Sequence, residues 1–155
     1  MGPSASAGTP KSVTGPTSAN TRAVLIEADG GSRGNPGPAA TGYRIEDTGG
    51  VVLTEAGETI GIATNNVAEY RALIAGLRAA ADLGAREVEV RADSQLLMRQ
   101  MTGAYRVKNA ALRELWLEAR RVATAFERVR FVEIPRAENA EADLQVNLAL
   151  DAAAP

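Results

Sequence analysis

Residues 22–38 read R-A-V-L-I-E-A-D-G-G-S-R-G-N-P-G-P, and the reading of the whole chain turns on them. Ala23 to Ala28 is a mostly apolar run, the pattern of a strand buried in the middle of a sheet. It stops at Asp29. Gly30 to Pro38 is so rich in glycine and proline that neither a helix nor a strand is expected there. A carboxylate is thus predicted at the carboxyl end of a central strand. In open α/β sheets, that edge is where binding and chemistry gather.

Outward from this stretch, Thr41 to Asp47 and Val51 to Ile60 read as two further strands. Thr48-Gly49-Gly50 forms the turn that joins them into an antiparallel hairpin. From Asn66 the apolar period becomes helical: Val67, Tyr70, Leu73, Ile74, Leu77 and Ala81 recur at helical spacing, and Gly84 stands where a helix C-cap belongs. Glu87 to Ala92 alternates as a strand. Asp93 and Ser94 open a helix to about Met101, and Gly103 to Lys108 is a loop. Asn109 is placed to cap a helix with Leu112, Leu115, Trp116, Ala119, Val122 and Phe126 on its apolar side. Val129 to Ile134 is a fifth strand, stopped by Pro135, and Asn139 is placed to cap a last helix through Leu150. The order β-β-β-α-β-α-α-β-α predicts an α/β fold, a five-stranded mixed sheet with helices on both faces. One domain is expected over residues 22–151, with 152–155 as a tail. Residues 1–21 are small and polar, carry one charge at Lys11 and lack the apolar centre of a secretory signal. They are expected to be a disordered leader or an expression remnant.

Composition narrows the chemistry. The 155 residues are 45% hydrophobic but only 4% aromatic, which predicts one core, mostly aliphatic. Without cysteine there are no disulfides or thiolate metal sites, and a cytoplasmic location is expected. Without histidine, the commonest general base and transition-metal ligand are both missing. Any metal must sit on oxygen, which points to magnesium, with manganese as a substitute. No apolar run approaches the ~20 residues of a membrane span. A net charge of −2 is unlike most nucleic-acid binders. Yet Arg99, Arg106, Lys108, Arg113, Arg120 and Arg121 stand against only Glu114 and Glu118 in their stretch, so one face can still be positive. A solvated helix face is the plainer reading of that run.

Four acids stand out by position. Asp29 ends the first strand, Glu69 falls in the first turn of the first long helix, Asp93 ends the fourth strand, and Asp143 falls early in the last helix. If strands one and four are neighbours, Asp29 and Asp93 converge, and the helical acids can close a ring around them. Four carboxylates in one place repel, and divalent cations relieve that repulsion. Taken singly, each acid has an ordinary structural role: a turn residue, an N-cap, or a helix-dipole partner.

The flanking residues carry more information. A-D-G-G-S-R-G-N-P-G at 28–37, T-N-N-V-A-E-Y at 64–70, A-D-S-Q at 92–95 and N-A-E-A-D at 139–143 occur in this order. Together they make the chain, over about 22–150, resemble type I ribonuclease H. The resemblance implies a nuclease that hydrolyses the RNA strand of an RNA·DNA hybrid with two magnesium ions, leaving 5′-phosphate and 3′-hydroxyl ends. It implies Asp29, Glu69, Asp93 and Asp143 as metal ligands. For substrate it implies Gly30, Gly31 and Ser32 against the RNA strand, Asn35, Asn65, Asn66 and Gln95 reading the minor groove, Thr64 on a DNA-strand phosphate, and Asn109 beside it. Capping and turn formation are the competing roles for these residues. Many members carry a mobile histidine before the last helix. Here the segment I-P-R-A-E-N is short, with Glu138 as the nearest substitute and Arg136 second. After Asp143 the chain has Gln145 and Val146 where the family prefers an apolar and a small residue. A monomer is expected. Two other readings stand beside the active nuclease: a hybrid-binding module without turnover, and a DNA-acting, transposase-like domain on the same scaffold.

Overall fold

Alternation along the first strand decides what lies on each side of the sheet. The computed structural model describes residues 20–154. The expected leader therefore falls, up to residue 19, outside the described residues. Strand β1 (Ala23–Ser32) buries Val24, Ile26 and Ala28 on one side. It lies between β2 (Gly37–Asp47), antiparallel to it, and β4 (Glu87–Ala92), parallel to it. Strand β3 (Val52–Ala63) extends the hairpin side and β5 (Arg128–Glu133) the parallel side, giving the order β3-β2-β1-β4-β5. The helices are α1 (Asn65–Asp82), α2 (Gln95–Met101), α3 (Ala110–Ala123) and α4 (Ala140–Ala153). A short 3₁₀ turn, Arg136–Asn139, precedes α4. The expected five-stranded mixed sheet and element order are present.

The core on the α1 side is aliphatic, as the composition predicts: Ile26, Ile45, Leu73, Leu77 and Val90 are fully buried, each contributing roughly 1.5–3 kcal/mol on burial. Tyr70 is the one aromatic ring among the largest fully buried side chains. Its hydroxyl donates to the buried Gln100 (2.6 Å), whose backbone carbonyl accepts from the Trp116 indole (3.2 Å). That chain of bonds fastens α2 and α3 to α1.

Several boundaries differ from expectation for identifiable reasons. The glycine-rich stretch is largely strand rather than loop. β1 runs through Gly30 and Gly31 to Ser32, and β2 begins at Gly37 instead of Thr41. Ladder hydrogen bonds use backbone alone, so side-chain-poor residues can still pair. β3 runs on to Ala63, and α1 begins one residue earlier than expected, with Thr64 as N-cap accepting from the Val67 N–H (3.2 Å). Glu69 therefore sits beyond the first turn of α1. Phe126 lies past the end of α3, buried in the connection to β5. Asn139 does not cap α4 with its side chain. It is fully buried and donates to the Ala28 carbonyl (2.8 Å). Finally, α4 continues through Ala153, past both Leu150 and the expected start of the tail.

On the opposite face α4 lies directly on backbone. Cross-strand partners Gly42 and Gly57 stand under it, and a Cβ on Gly42 would run into the Ala142 carbonyl, one on Gly57 into the Gln145 carbonyl. Val146 buries against Ala40 and Leu150, and Gln145 reaches Glu55 (3.1 Å), so both departures from the family pattern are accommodated. We expect Gly57→Ala to lift α4 and cost about 1–3 kcal/mol, the usual range for overpacking. Gly49→Ala, whose Cβ would meet only the tip of Asp47 at 3.4 Å, should cost less. Urea unfolding of the two variants compares them, and equal stability would mean that the glycine contact does not set the seat of α4.

Candidate active site

Strand register brings the first two acids together. Parallel pairing matches Glu27 with Arg91, so two residues further on Asp29 comes opposite Asp93, just past the end of β4. Glu69 arrives from α1. A side chain at Gly30 would strike the backbone of Ala68 and Glu69, so glycine allows α1 to lie against the strand. The Gly30 N–H then donates to Glu69 Oε1 (2.6 Å). Asp29, Glu69 and Asp93 each place a carboxylate oxygen within 4.8 Å of the others. Asp143, in the first turn of α4, lines the same cleft but stands outside that cluster.

The cleft is also lined by Gly30, Gly31, Ser32, Arg33, Asn65, Arg136 and Asn147. Asn65 Oδ1 accepts from the Ser32 N–H (2.9 Å) and hydroxyl (3.2 Å), while the Asn65 backbone N–H donates to Asn35 Oδ1 (3.0 Å). These bonds clamp the β1–β2 turn, which contains a cis Asn35–Pro36 bond, against the start of α1. Asn66 and Gln95 are exposed beside helix N-termini, and Asn109 caps α3 by accepting from the Leu112 N–H (3.0 Å). Of the nine predicted substrate residues, the cleft thus gathers Gly30, Gly31, Ser32 and Asn65. Asn35, Thr64, Asn66, Gln95 and Asn109 lie outside its lining. Glu138 is exposed in the 3₁₀ turn and outside the lining too, whereas Arg136 of the same turn is within it. Arg33 and Asn147 were not singled out from sequence. Asn147 falls four residues after Asp143, the spacing of neighbours on a helix face, and that spacing was a usable signal.

Electrostatics mark the carboxylates as unusual. Burial, first, then repulsion from Asp93, then a side-chain hydrogen bond with Asp143 and its charge push the Asp29 carboxyl up to about 7, with Arg136 opposing. Glu69 is raised as well, chiefly by burial and then by Asp29, against the pull of the Gly30 N–H. Such a group of hard oxygen donors, short of protein cations, suits a divalent ion. The chain offers no nitrogen or sulfur ligand of histidine or cysteine type.

A raised carboxylate binds its proton more tightly folded than unfolded. Its contribution to stability is complete below the unfolded value of about 4 and fades as pH rises through the folded one. Without divalent ions, the protein should therefore lose stability as pH climbs from about 4 through about 7. Asp29→Asn should melt higher than the parent at alkaline pH and close to it at acid pH. Melting in chelator across that range is the check, and parallel curves for the two proteins would show that burial and its acidic neighbours do not raise the Asp29 carboxyl.

Comparison with known proteins agrees with this geometry. The family model described as reverse transcriptase-like matches residues 27–149. The bifunctional protein Rv2228c of Mycobacterium tuberculosis is 51% identical over 132 residues, covering 84% of this chain and 36% of that protein. The chain thus spans about a third of the length of such relatives. The crystal structure of RNase H1 from Halobacterium salinarum is 48% identical with a TM-score of 0.83, covering 84% of this chain and 99% of that one. The structure of LC11-RNase H1 in complex with an RNA/DNA hybrid is 45% identical with a TM-score of 0.80, covering 84% and 98%. On these matches in sequence and in fold, the chain belongs to the type I ribonuclease H family.

Proposed function

We propose that this protein is an endonuclease that hydrolyses the RNA strand of RNA·DNA hybrids. The observation that carries this is the meeting, in one cleft, of three clustered carboxylates with the side-chain-poor backbone of Gly30 to Ser32. Asp29, Glu69, Asp93 and Asp143 would hold two magnesium ions, with manganese as a substitute. Bound there, the ions supply neutralisation of the carboxylates and stabilisation of charge on the scissile phosphate. The remaining work falls to the protein. Gly30, Gly31 and Ser32 leave the RNA strand room to approach the backbone, where amides and carbonyls reach 2′-hydroxyls, the groups that separate RNA from DNA. Asn35, Asn65, Asn66 and Gln95 contribute short amides to the minor groove. Thr64 and Asn109, whose side-chain oxygens accept from backbone N–H groups as caps, meet the DNA strand near helix N-termini that favour phosphate. Arg136 and Glu138, in the short turn before α4, attend to product release where other members use histidine. The products are 5′-phosphate and 3′-hydroxyl ends. The same reading takes a monomer as the working unit and the cytoplasm as its location. Among the described residues, no helix is long and apolar enough to cross a membrane.

A strand-labelled hybrid with magnesium tests the proposal. RNA paired with DNA should be cut, its DNA strand left intact, and single-stranded RNA cut poorly. Asp93→Asn should lower the rate by more than about 100-fold, the scale of losing an electrostatic stabiliser, with its melting point kept. Binding without cleavage by the parent protein would favour the hybrid-binding module. Equal cutting of an all-DNA duplex would favour the DNA-acting alternative.

A further inference from the structure

The fourth carboxylate is held by a side chain that also grips the glycine-rich turn. Asn147 lies one turn after Asp143 on α4. Its Nδ2 donates to the Asp143 backbone carbonyl (3.1 Å) and to carboxylate Oδ2 (3.3 Å). Its Oδ1 accepts from an Arg33 guanidinium nitrogen (3.4 Å), and that same nitrogen pairs with Asp151 (2.7 Å). Arg33 belongs to the turn between β1 and β2, where its N–H donates to the Pro38 carbonyl (2.8 Å). Arg33, Asp143 and Asn147 all line the carboxylate cleft.

The chemistry of this arrangement is specific to an amide. One end must donate to a carboxylate and the other must accept from a guanidinium. Aspartate would offer two acceptors and repel Asp143, and leucine would offer nothing. The need for a hold is also visible. Asp29, Glu69 and Asp93 form the tight cluster, with Asp29 and Asp93 rooted at adjacent strand ends, while Asp143 stands outside it on a separate helix. Fixing Oδ2 with a donor limits how the carboxylate rotates while it faces the Asp29 carboxyl, with which it shares a side-chain hydrogen bond. Groups that orient a metal ligand in this way commonly change ion affinity when they are removed.

We propose that Asn147 is a positioning residue for Asp143, and that Arg33 acts through it, coupling the glycine-rich turn to the fourth carboxylate. This rests on the reading of Asp143 as a metal ligand. It assigns new roles to two residues: the segment that meets the RNA strand and the acid at the edge of the ion site are joined through one amide.

The experiment uses the whole chain, stripped with chelator and titrated calorimetrically with magnesium chloride without nucleic acid. Steady-state cleavage and thermal melts run alongside. Asn147→Ala should weaken magnesium binding about tenfold, the low end for groups that orient ligands. It should lower kcat with little change in KM for the hybrid, and melt close to the parent. Asn147→Asp keeps the size and the bond to Arg33, yet should lose at least as much affinity. Arg33→Ala should weaken magnesium binding less, and add no further loss in the Asn147→Ala background. Asp143→Asn separates the two levels of the argument. If it weakens magnesium binding but Asn147→Ala does not, the positioning role is overturned and the ligand reading stands. If Asp143→Asn binds magnesium as the parent does, both fall. Additive losses from Arg33→Ala and Asn147→Ala overturn the coupling.

Discussion

Parallel pairing of β1 with β4 is the constraint on which the rest depends. It sets Asp29 opposite Asp93, and it does so against the repulsion of two acids at neighbouring strand ends. Parallel neighbours cannot be joined by a tight turn. The chain must leave β1, build the hairpin of β2 and β3, and return through α1. That return brings Glu69 to the same edge, because Gly30 lets α1 lie against the strand. The site's third acid thus follows from the connection that the first two require. The aliphatic core beneath α1 supplies the favourable free energy, and the polar cluster lies at the rim of that core.

Asp143 reaches the site by a different kind of contact. α4 makes little use of large side chains against the sheet and lies on Gly42 and Gly57 instead. Backbone-on-backbone seating leaves little room to shift. Ion pairs and amides then fix its position along the sheet: Arg44 with Glu141 (3.2 Å), Gln145 with Glu55, and Arg33 with Asp151. The outward side of α4 keeps Leu144 and Leu148 exposed, so burial on that side contributes little to its placement. Asn139 adds a buried strut from the turn before α4 to the Ala28 carbonyl, the residue before Asp29.

The element order and the sheet class were legible because apolar periodicity survives in nearly every element. That Asp29 and Asp93 would meet was legible because each follows a strand that the periodicity marks, whereas Glu69, expected in the first turn of α1, lies beyond it and joins them from the helix interior. The glycine-rich stretch was misread for a physical reason. Gly30, Gly31 and Ser32 lack the β-branched and aromatic side chains that signal strand, yet their backbone groups complete the ladder with β2. Asn139 was misread because a buried asparagine and a capping asparagine look alike in sequence, and only its 0% exposure separates them. Asn147 escaped notice because its significance lies in joining Asp143 to Arg33, residues 110 positions apart in the chain. Its spacing of four from Asp143 is a local signal, but no local pattern encodes the link onward to Arg33.

The electrostatic balance of the cleft links its two halves. On the proposed function the ligand is a polyanion, and a cleft of crowded carboxylates offers it little attraction, even with Asp29 and Glu69 raised so that they hold their protons more readily. Arg33 and Arg136 are the cations in the lining. Arg33 is engaged by Asp151, while Arg136 forms no ion pair among the described residues. The lining is therefore short of positive charge by its own count, and the basic residues between Arg99 and Arg121 lie outside it. Cations that satisfy the carboxylates would also relieve the repulsion of phosphate. On the proposed function, the carboxylates and the side-chain-poor backbone of Gly30 to Ser32 thus answer to the same charge deficit. That makes it physically reasonable for the turn carrying Arg33 and the helix carrying Asp143 to be joined rather than independent.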